Sequence, residues 1–374
     1  WNYDPQEGWR VYGQGRVDEG GLRFVPEDGV ALHQAMGGSY SVPSNDPPPE
    51  PDQPNCTETC GSSGSGGGAV AGDPIDLRTG SFLFSEADIA INDLMPIGLG
   101  RSYRQHDLGK RSFGIGTASN YDYMLHAPVG LNYSEMWLVL PNGSFVKFDR
   151  VSGSGASGSW RQNGSNSGFD GAMLQHASDS QWGHGYWLTM RAGERMYFGS
   201  GYYNNNKSPL RGLEDRNGNR VDLVFDAGLL KKIVSPNGRY ITLTHDTGNR
   251  IASAADHTGR TWHYEYDGGF LKRVLYPDQT TQVFGYDVTT DELAERVVSH
   301  VVKRMTNRRG IQEIVNHYPG VSVTGVDMRI NRQTLADGCE INIDYAHSDG
   351  QTFGVLVTQT DGRKRRVVFA DGQR

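Results

Sequence analysis

Residues 215–287 decide the fold of this chain, and they read DRNGNRVDLVFDAGLLKKIVSPNGRYITLTHDTGNRIASAADHTGRTWHYEYDGGFLKRVLYPDQTTQVFGYD. Polar turn sequences recur in this stretch, with Gly218, Gly238 and Gly259 at steps of 20 and 21 residues. A fourth turn keeps the step, with Gln279 in the place of the glycine. Glycine is favoured in such turns because it adopts a positive φ without steric cost.

A second element recurs between those turns, an aromatic or histidine residue followed by aspartate. Each pair ends an alternating run, which predicts a strand, and aspartate at that point predicts a hairpin bend because it accepts backbone N–H bonds. A period near 20 with two strands per unit predicts one β-hairpin per repeat. One hairpin cannot bury its apolar face alone, so successive hairpins must stack into a continuous sheet. The aspartates assigned to the bends are Asp226, Asp246, Asp267 and Asp287.

The composition favours an all-β fold for the rest of the chain. Among 374 residues there are 50 Gly and 18 Tyr, and this glycine content is nearly twice the usual share of about 7%. Many turn formers together with many aromatic residues indicate short strands joined by hairpins. Residues 152–168 are nearly all Gly, Ser and Asn, which predicts a long mobile loop.

Changes in composition divide the chain into four segments. We predict a small β module over residues 1–42, a linker rich in Pro, Gly and Ser over 43–72, a β region over 73–200 and the repeat array over 201–374. The linker has almost no apolar side chains with which to offset its ordering entropy. Because the chain starts without Met and ends shortly after a turn signal, both ends are expected to be cuts in a larger polypeptide.

The three cysteines are unevenly placed. Cys56 and Cys60 lie close together in the polar linker, and their proximity predicts a small disulfide loop, which implies an oxidising compartment. The alternative is a pair of free thiols in a flexible linker. Cys339 lies far away and is expected to be free.

Charge and motif content argue against several classes of function. A net charge of −7 gives no electrostatic reason to bind nucleic acid. The basic cluster at residues 363–366 is interpreted as a solvated strand face or a charged sheet edge, with a partner-binding patch as the alternative. No apolar run reaches the roughly 20 residues that a membrane helix needs.

No catalytic motif is present, so the chain is expected not to be an enzyme and to have no catalytic, cofactor or metal site. Asp215, Asn217 and Asn219 have the spacing of a calcium-binding loop, with Asp226 at its last position. Calcium is disfavoured because Arg220 replaces the glycine that such a loop needs. The repeat unit already accounts for these residues.

Two parts of the chain resemble the RHS/YD-repeat proteins, which include the bacterial RHS polymorphic-toxin shells and the related teneurins. The four aromatic-Asp units look like YD repeats. Residues 72–80, GDPIDLRTG, and residues 101–103, RSY, resemble the segment that opens the RHS shell. The resemblance covers about residues 72–374, and the opening segment precedes the repeats as it does in the family.

The resemblance implies a β-spiral of stacked hairpins, a cocoon-like sheet around a C-terminal payload that is often a toxin domain. It implies a structural role in a secreted or cell-surface bacterial protein, whose partners are the rest of its own shell, the payload, neighbouring copies or a secretion apparatus. The alternative is an adhesin or extracellular assembly module that binds a partner or glycan through the spiral surface. No self-cleavage residue can be carried over from the family.

Four clear repeats make only a partial wrap. We therefore expect a concave face that exposes Tyr, Trp and Leu side chains until another part of the protein, a payload or a neighbouring copy covers them.

Overall fold

The computed structural model describes residues 70–72, 75–105, 107–127, 132–142, 144–162, 168–199, 207–291, 296–319, 329–348 and 351–368, together with four short strands before residue 27. The chain divides into two compact units, Trp1–Thr57 and Glu58–Arg374. The described residues form strands and turns and contain no helix. The prediction of an all-β protein is therefore confirmed.

The first unit contains two short antiparallel hairpins. They are β1 (Asn2–Asp4) with β2 (Gly8–Arg10), and β3 (Gly15–Val17) with β4 (Phe24–Pro26). Both lie within the predicted module at residues 1–42. The four segment boundaries remain predictions, and Cys56 and Cys60 lie outside the described residues.

A small antiparallel sheet, called the opening sheet below, begins the second unit. It has five strands in the order β11-β8-β7-β6-β5, and a separate β9–β10 hairpin interrupts it in sequence. Buried and half-buried residues alternate strictly along the strand Ile97–Arg104. The strands are β5 (Val70–Ala71), β6 (Ile75–Asp76), β7 (Ser81–Ile91), β8 (Ile97–Arg104), β9 (Lys110–Arg111), β10 (Gly114–Ile115) and β11 (Thr117–Ser119).

The next eight strands close into a barrel, because the short strand β12 pairs with both β13 and β19. Eight strands leave an interior that side chains can fill. Trp160, Leu174, Leu188 and Phe198 are each fully buried. The strands are β12 (Met124–His126), β13 (Glu135–Val139), β14 (Phe145–Ser154), β15 (Ser157–Arg161), β16 (Met173–Asp179), β17 (Gly183–Thr189), β18 (Arg195–Gly199) and β19 (Lys207–Glu214).

The long loop predicted over residues 152–168 is wrong for its first half. Residues Ser152–Ser154 belong to β14 and pair with Ser157–Ser159 of β15. Small polar residues can pair here because the ladder uses backbone groups, and the Ser152 and Ser159 hydroxyls lie 2.6 Å apart. The same hairpin carries Trp160 into the barrel interior.

The repeat array continues from β19 without a break, so that one sheet holds 21 antiparallel strands in chain order. This is the stack of hairpins that the repeat predicts. The remaining strands are β20 (Arg220–Asp226), β21 (Leu229–Val234), β22 (Tyr240–His245), β23 (Ile251–Asp256), β24 (Thr261–Asp267), β25 (Phe270–Leu275), β26 (Thr281–Asp291), β27 (Arg296–Thr306), β28 (Gln312–His317), β29 (Arg332–Leu335), β30 (Glu340–Ser348), β31 (Gln351–Gln359) and β32 (Lys364–Val368).

One turn geometry recurs along this array. In the first example the Asp215 amide donates to the Asn219 carbonyl at 3.0 Å, and the Gly218 amide donates to the Asp215 carbonyl at 3.1 Å. The same pair of bonds closes the turns that begin at Ser235, Asp256, Tyr276, Asn307, Leu335 and Gln359. The fourth residue has a positive φ each time, 84° at Gly218, 80° at Gly238, 91° at Gly259 and 67° at Gln279.

Each aromatic-Asp pair follows a β-bulge, as at Val224/Phe225 and Glu265/Tyr266. Asp226 and Asp267 then end their strands before two-residue turns. Asp246 instead begins another turn of the recurring geometry, with Asn249 at a φ of 64°, and its carboxylate accepts the amides of Gly248 and Arg250 at 2.9 Å. Three of the four predicted bend aspartates therefore lie at turns, in two different geometries.

The assignment of Asp287 to a hairpin bend is wrong. Asp287 lies within β26, opposite Val301, and its carboxylate pairs with the Lys303 ammonium at 2.8 Å. The strand continues past Asp287 because the next three residues, Val288, Thr289 and Thr290, are all β-branched and favour extended backbone. The bulge before Tyr286 is retained, and pairing continues to Asp291 opposite Arg296.

Gly259 and Gln279 occupy equivalent turn positions, so substitutions at these two positions should have opposite effects on the free energy of unfolding. A Cβ at Gly259 would meet no atom within 4 Å, so Gly259→Ala should lower the free energy of unfolding by about 1 kcal/mol through backbone strain alone. Gln279→Gly should raise it by up to about 1 kcal/mol, because it removes the same strain. Urea denaturation measures both, and changes of the same sign would contradict the shared geometry.

Candidate functional site

A charged residue lies in the buried register of the opening sheet. Ile97, Leu99, Arg101 and Tyr103 share one face of β8 and are each at most 4% exposed. An arginine at such a position is costly unless its charge is paired and its N–H groups are bonded. Arg101 must therefore have partners inside the protein.

The partner of Arg101 is Asp88 on β7, and both side chains are fully buried. The guanidinium contacts the carboxylate through two bonds, Nε to Oδ2 at 2.6 Å and Nη2 to Oδ1 at 2.8 Å. Bidentate pairs of this kind are among the strongest hydrogen-bonded contacts in proteins. The hairpin of β7 and β8 thus carries a buried ion pair with no net charge, which can still form hydrogen bonds to other residues.

The repeat array completes this cluster. Tyr264 and Tyr276 donate their hydroxyls to the Asp88 carboxylate at 2.9 and 3.1 Å, and Arg101 Nη2 donates to Gln282 Oε1 at 2.9 Å. These three residues belong to β24, the turn after β25, and β26. One polar cluster therefore joins the two sheets through bonds between residues more than 170 positions apart in the chain.

Burial and the ion pair act on the titration of these groups. Burial disfavours the charged guanidinium, but the Asp88 carboxylate outweighs it and the pKa of Arg101 is raised. Burial, with a further contribution from Asp88, also raises the pKa values of Tyr264 and Tyr276. Both phenols therefore keep the protons that they donate to Asp88 at any physiological pH.

A second polar contact lies around the fully buried side chain of His300 on β27. Its Nδ1 lies 3.0 Å from the Tyr103 hydroxyl, and its Nε2 lies 3.0 Å from the carbonyl oxygen of Asp107. Burial lowers the pKa of His300, so the neutral ring accepts from Tyr103 and donates to Asp107. Gly116 is required beside it, because a Cβ there would lie 2.5 Å from the His300 ring.

Backbone hydrogen bonds connect the opening segment, residues 75–121, to the repeat array at three further points. The donors and acceptors are Ile115 N to Gly269 O at 2.8 Å, Ile251 N to Ser112 O at 2.8 Å and Ile330 N to Gly80 O at 2.9 Å. Close approach at the first point depends on Gly114, whose Cβ would lie 2.4 Å from the Gly269 carbonyl oxygen. The opening segment is thus attached along the array from β23 to β29.

These contacts correct the expectation of an exposed concave face. Trp262, Tyr264 and Tyr276 are at most 5% exposed, and the ring of Phe113 in the opening segment packs at a tilt against Tyr264, with ring centroids 4.7 Å apart. Among the described residues, the large hydrophobic side chains that are exposed include no Tyr or Trp. The chain covers this face of its own repeats, because residues 75–121 carry a matching apolar surface.

The sequence contained a signal for this site that the repeat pattern did not use. Arg101 stands in phase with Ile97, Leu99 and Tyr103 in an alternating strand, and a charge in an apolar register predicts a buried partner. Asp88, Gln282 and His300 carry no comparable signal, because their pairing depends on contacts across the whole chain.

The residues considered for calcium are engaged in turn contacts. The Asp215 carboxylate accepts the amides of Asn217 and Asn219 at 2.8 and 2.9 Å, and the Asn219 side chain at 2.8 Å. Nowhere in the part of the chain that the structure describes do three or more His, Cys, Asp or Glu residues group as metal ligands would. The Asp215 turn is therefore held by protein donors.

Cys339 is disulfide-bonded, so the expectation of a free thiol at this position is wrong. It lies in the turn after β29, where its carbonyl accepts the Leu335 amide. Cys56 and Cys60 lie outside the described residues, so the bridge between them stays a prediction.

The basic cluster forms the last strand of the large sheet. Within the described residues β32 pairs only with β31, and Lys364 and Arg366 are exposed. This placement agrees with a charged sheet edge. In the described ranges no helix has the length and hydropathy needed to cross a membrane.

The sequence comparisons give limited information about this site. Residues 72–148 match a family model described as a domain of unknown function, DUF6531, and this range contains both Asp88 and Arg101. It covers less than half of the chain. No curated protein matches the chain.

Several solved structures have a distant likeness to the chain. A TcdB2-TccC3 crystal structure is 12% identical, with 83% of this chain and 17% of that chain covered and a TM-score of 0.30. The N-terminal domain of effector protein SpvB from Salmonella typhimurium strain LT2 is 12% identical, with coverages of 77% and 99% and a TM-score of 0.27. A Tc holotoxin pore from Photorhabdus luminescens is 10% identical, with 78% of this chain and 15% of that chain covered and a TM-score of 0.26.

The chain thus spans less than a fifth of the TcdB2-TccC3 chain. TM-scores this low support no argument about function, and the all-β architecture rests on the strand pairing of the chain itself.

The Asp88–Arg101 pair predicts a strong and non-additive effect on stability. Arg101→Met leaves Asp88 buried without its counter-charge and should lower the free energy of unfolding by about 3–5 kcal/mol. Adding Asp88→Leu should recover part of that loss, so that the double variant is less destabilised than the sum of the single variants. Urea denaturation of the four proteins measures the coupling.

The matched control for this cycle is Arg273→Ala, which breaks an ion pair with Glu265 in which both side chains are 46% exposed. Its effect should stay below about 1 kcal/mol. Equal losses for Arg101→Met and Arg273→Ala would contradict the assigned role of the buried pair.

Cys339 should be protected from alkylation in the folded, oxidised protein. Iodoacetamide treatment without reductant, followed by peptide mapping, should find Cys339 in a cross-linked peptide and not alkylated. Alkylated Cys339 would contradict the bridge at this position.

Proposed function

We propose that this chain is part of the wall of an RHS-type shell, which encloses or presents a payload such as a toxin domain in a secreted bacterial protein. The observation that carries the proposal is the single 21-strand sheet, which repeats one turn geometry from Asp215 to Gly362. Such a sheet grows by adding hairpins at its free edge. The resemblance of residues 72–374 to RHS proteins is the reason to expect that the wall surrounds a payload.

A structural role also agrees with how the buried polar groups are used. Asp88, Arg101 and His300 are each bonded to residues of the neighbouring sheet. The Asp88 carboxylate accounts for the raised pKa of Arg101, and burial accounts for the lowered pKa of His300. We propose that the chain acts without catalysis or cofactor.

Protease protection in the natural full-length protein tests this proposal. We expect a segment that follows the repeats to resist protease in the wild type and in Arg273→Ala, and to be cleaved in Arg101→Met, because that substitution loosens the wall. Circular dichroism first establishes that each variant keeps its β structure. A following segment that is cleaved equally in all three proteins, or a natural protein without one, would argue against enclosure.

A further inference from the structure

An open cleft of about 530 Å³ lies between β28, β29 and β30. This volume falls in the range of about 300–1,000 Å³ that is usual for small-molecule sites. Its lining is predominantly polar and combines amide, carboxylate, guanidinium and imidazole groups with one tyrosine and one proline. The wall-forming role described above does not use any of these groups.

One wall of the cleft is fixed by contacts among its own residues. Arg332 Nη2 lies 3.3 Å from His317 Nδ1, and Arg332 Nη1 lies 3.4 Å from the Glu340 carboxylate. His317 Nε2 lies 3.2 Å from the Thr334 hydroxyl. Burial, followed by the Arg332 charge, lowers the pKa of His317. The neutral imidazole therefore accepts from Arg332 and donates to Thr334, so the polar groups of this wall are already engaged.

Three other polar side chains of the cleft are not engaged in contacts of this kind. In the described ranges the side chains of Asn331, Asn342 and Asp344 make no hydrogen bond or ion pair. Two amides and a carboxylate around one cleft offer both donors and acceptors. Hydroxyl groups, which donate and accept at the same atom, match such a set.

Charge and shape narrow the class of ligand. The single guanidinium of Arg332 is balanced by the carboxylates of Glu340 and Asp344, so the cleft has no positive excess with which to attract an anion. Tyr318 donates its hydroxyl to the Val302 carbonyl at 3.0 Å, which anchors its ring. Tyr318 and the exposed Pro319 offer apolar contact for C–H groups, whereas Ile343 is buried in the core.

We propose that this cleft binds a neutral sugar unit, with the hydroxyls on Asn331, Asn342 and Asp344 and the C–H face against the apolar residues. Asp344 contributes most, because a hydrogen bond to a charged acceptor is stronger than one between neutral groups. The amides orient the ring. The site would give the repeat array a recognition surface in addition to its role as a wall.

Saturation-transfer difference NMR on the 374-residue chain tests the proposal. The probes are the methyl pyranosides of glucose, galactose and mannose, together with N-acetylglucosamine, and N-acetylneuraminic acid serves as the anionic comparison. We expect saturation of at least one neutral probe, with the strongest effect on its ring C–H protons. Titration calorimetry then measures the affinity of that probe.

The variants Asn342→Ala and Asp344→Asn should each weaken that binding, by about tenfold for Asp344→Asn. Gln312→Ala is the matched control, since this residue is exposed on the same strand as His317 but does not line the cleft. It should leave the affinity unchanged. Thermal melts establish that the variants fold, and the isosteric Asp344→Asn remains informative if Asn342→Ala does not.

Three results would overturn the proposal. They are saturation of none of the neutral probes, binding that survives both Asn342→Ala and Asp344→Asn, and binding of N-acetylneuraminic acid alone. None of them bears on enclosure of a payload, which the protease experiment tests separately.

Discussion

The buried pair of Asp88 and Arg101 is the contact on which the alignment of the two sheets depends. Apolar contacts between sheets are not directional, so they allow many relative positions. The pair is directional, because Asp88 needs the hydroxyls of Tyr264 and Tyr276 and Arg101 needs the oxygen of Gln282. A shift of one residue along β8 would turn Arg101 to the other face and leave these groups unbonded.

This alignment lets the chain satisfy a general requirement of repeat sheets. Each hairpin must cover its apolar face with something outside itself. In the array the opening sheet provides that cover over β22–β26, where Ile241, Trp262 and Val274 are buried. On the other side of β19, closure through β12 removes a free edge. Only β32 keeps an unpaired edge among the strands of the array that the structure describes, and it carries Lys364 and Arg366.

The repeats could be predicted from the sequence because their turns are specified by nearby residues. The long-range contacts could not be predicted in this way. Turns with Gly218, Gly238 and Gly259 are specified within five residues, so the period predicts the hairpins and even the unusual φ of Gln279. Asp287 was misassigned because the following β-branched residues extend its strand. The partners of Arg101 depend on which distant segments meet, and alternation along one strand does not encode that.

Native-state hydrogen exchange followed by mass spectrometry tests most directly whether the opening sheet and the repeats form one cooperative structure. Exchange of buried amides reports the free energy with which each region opens. Amides of β7 and β8 should share a single opening free energy with those of β22–β26, and denaturant should lower both in parallel. Amides of β7 and β8 that exchange by a separate, lower-energy opening while the repeat strands stay protected would contradict this account.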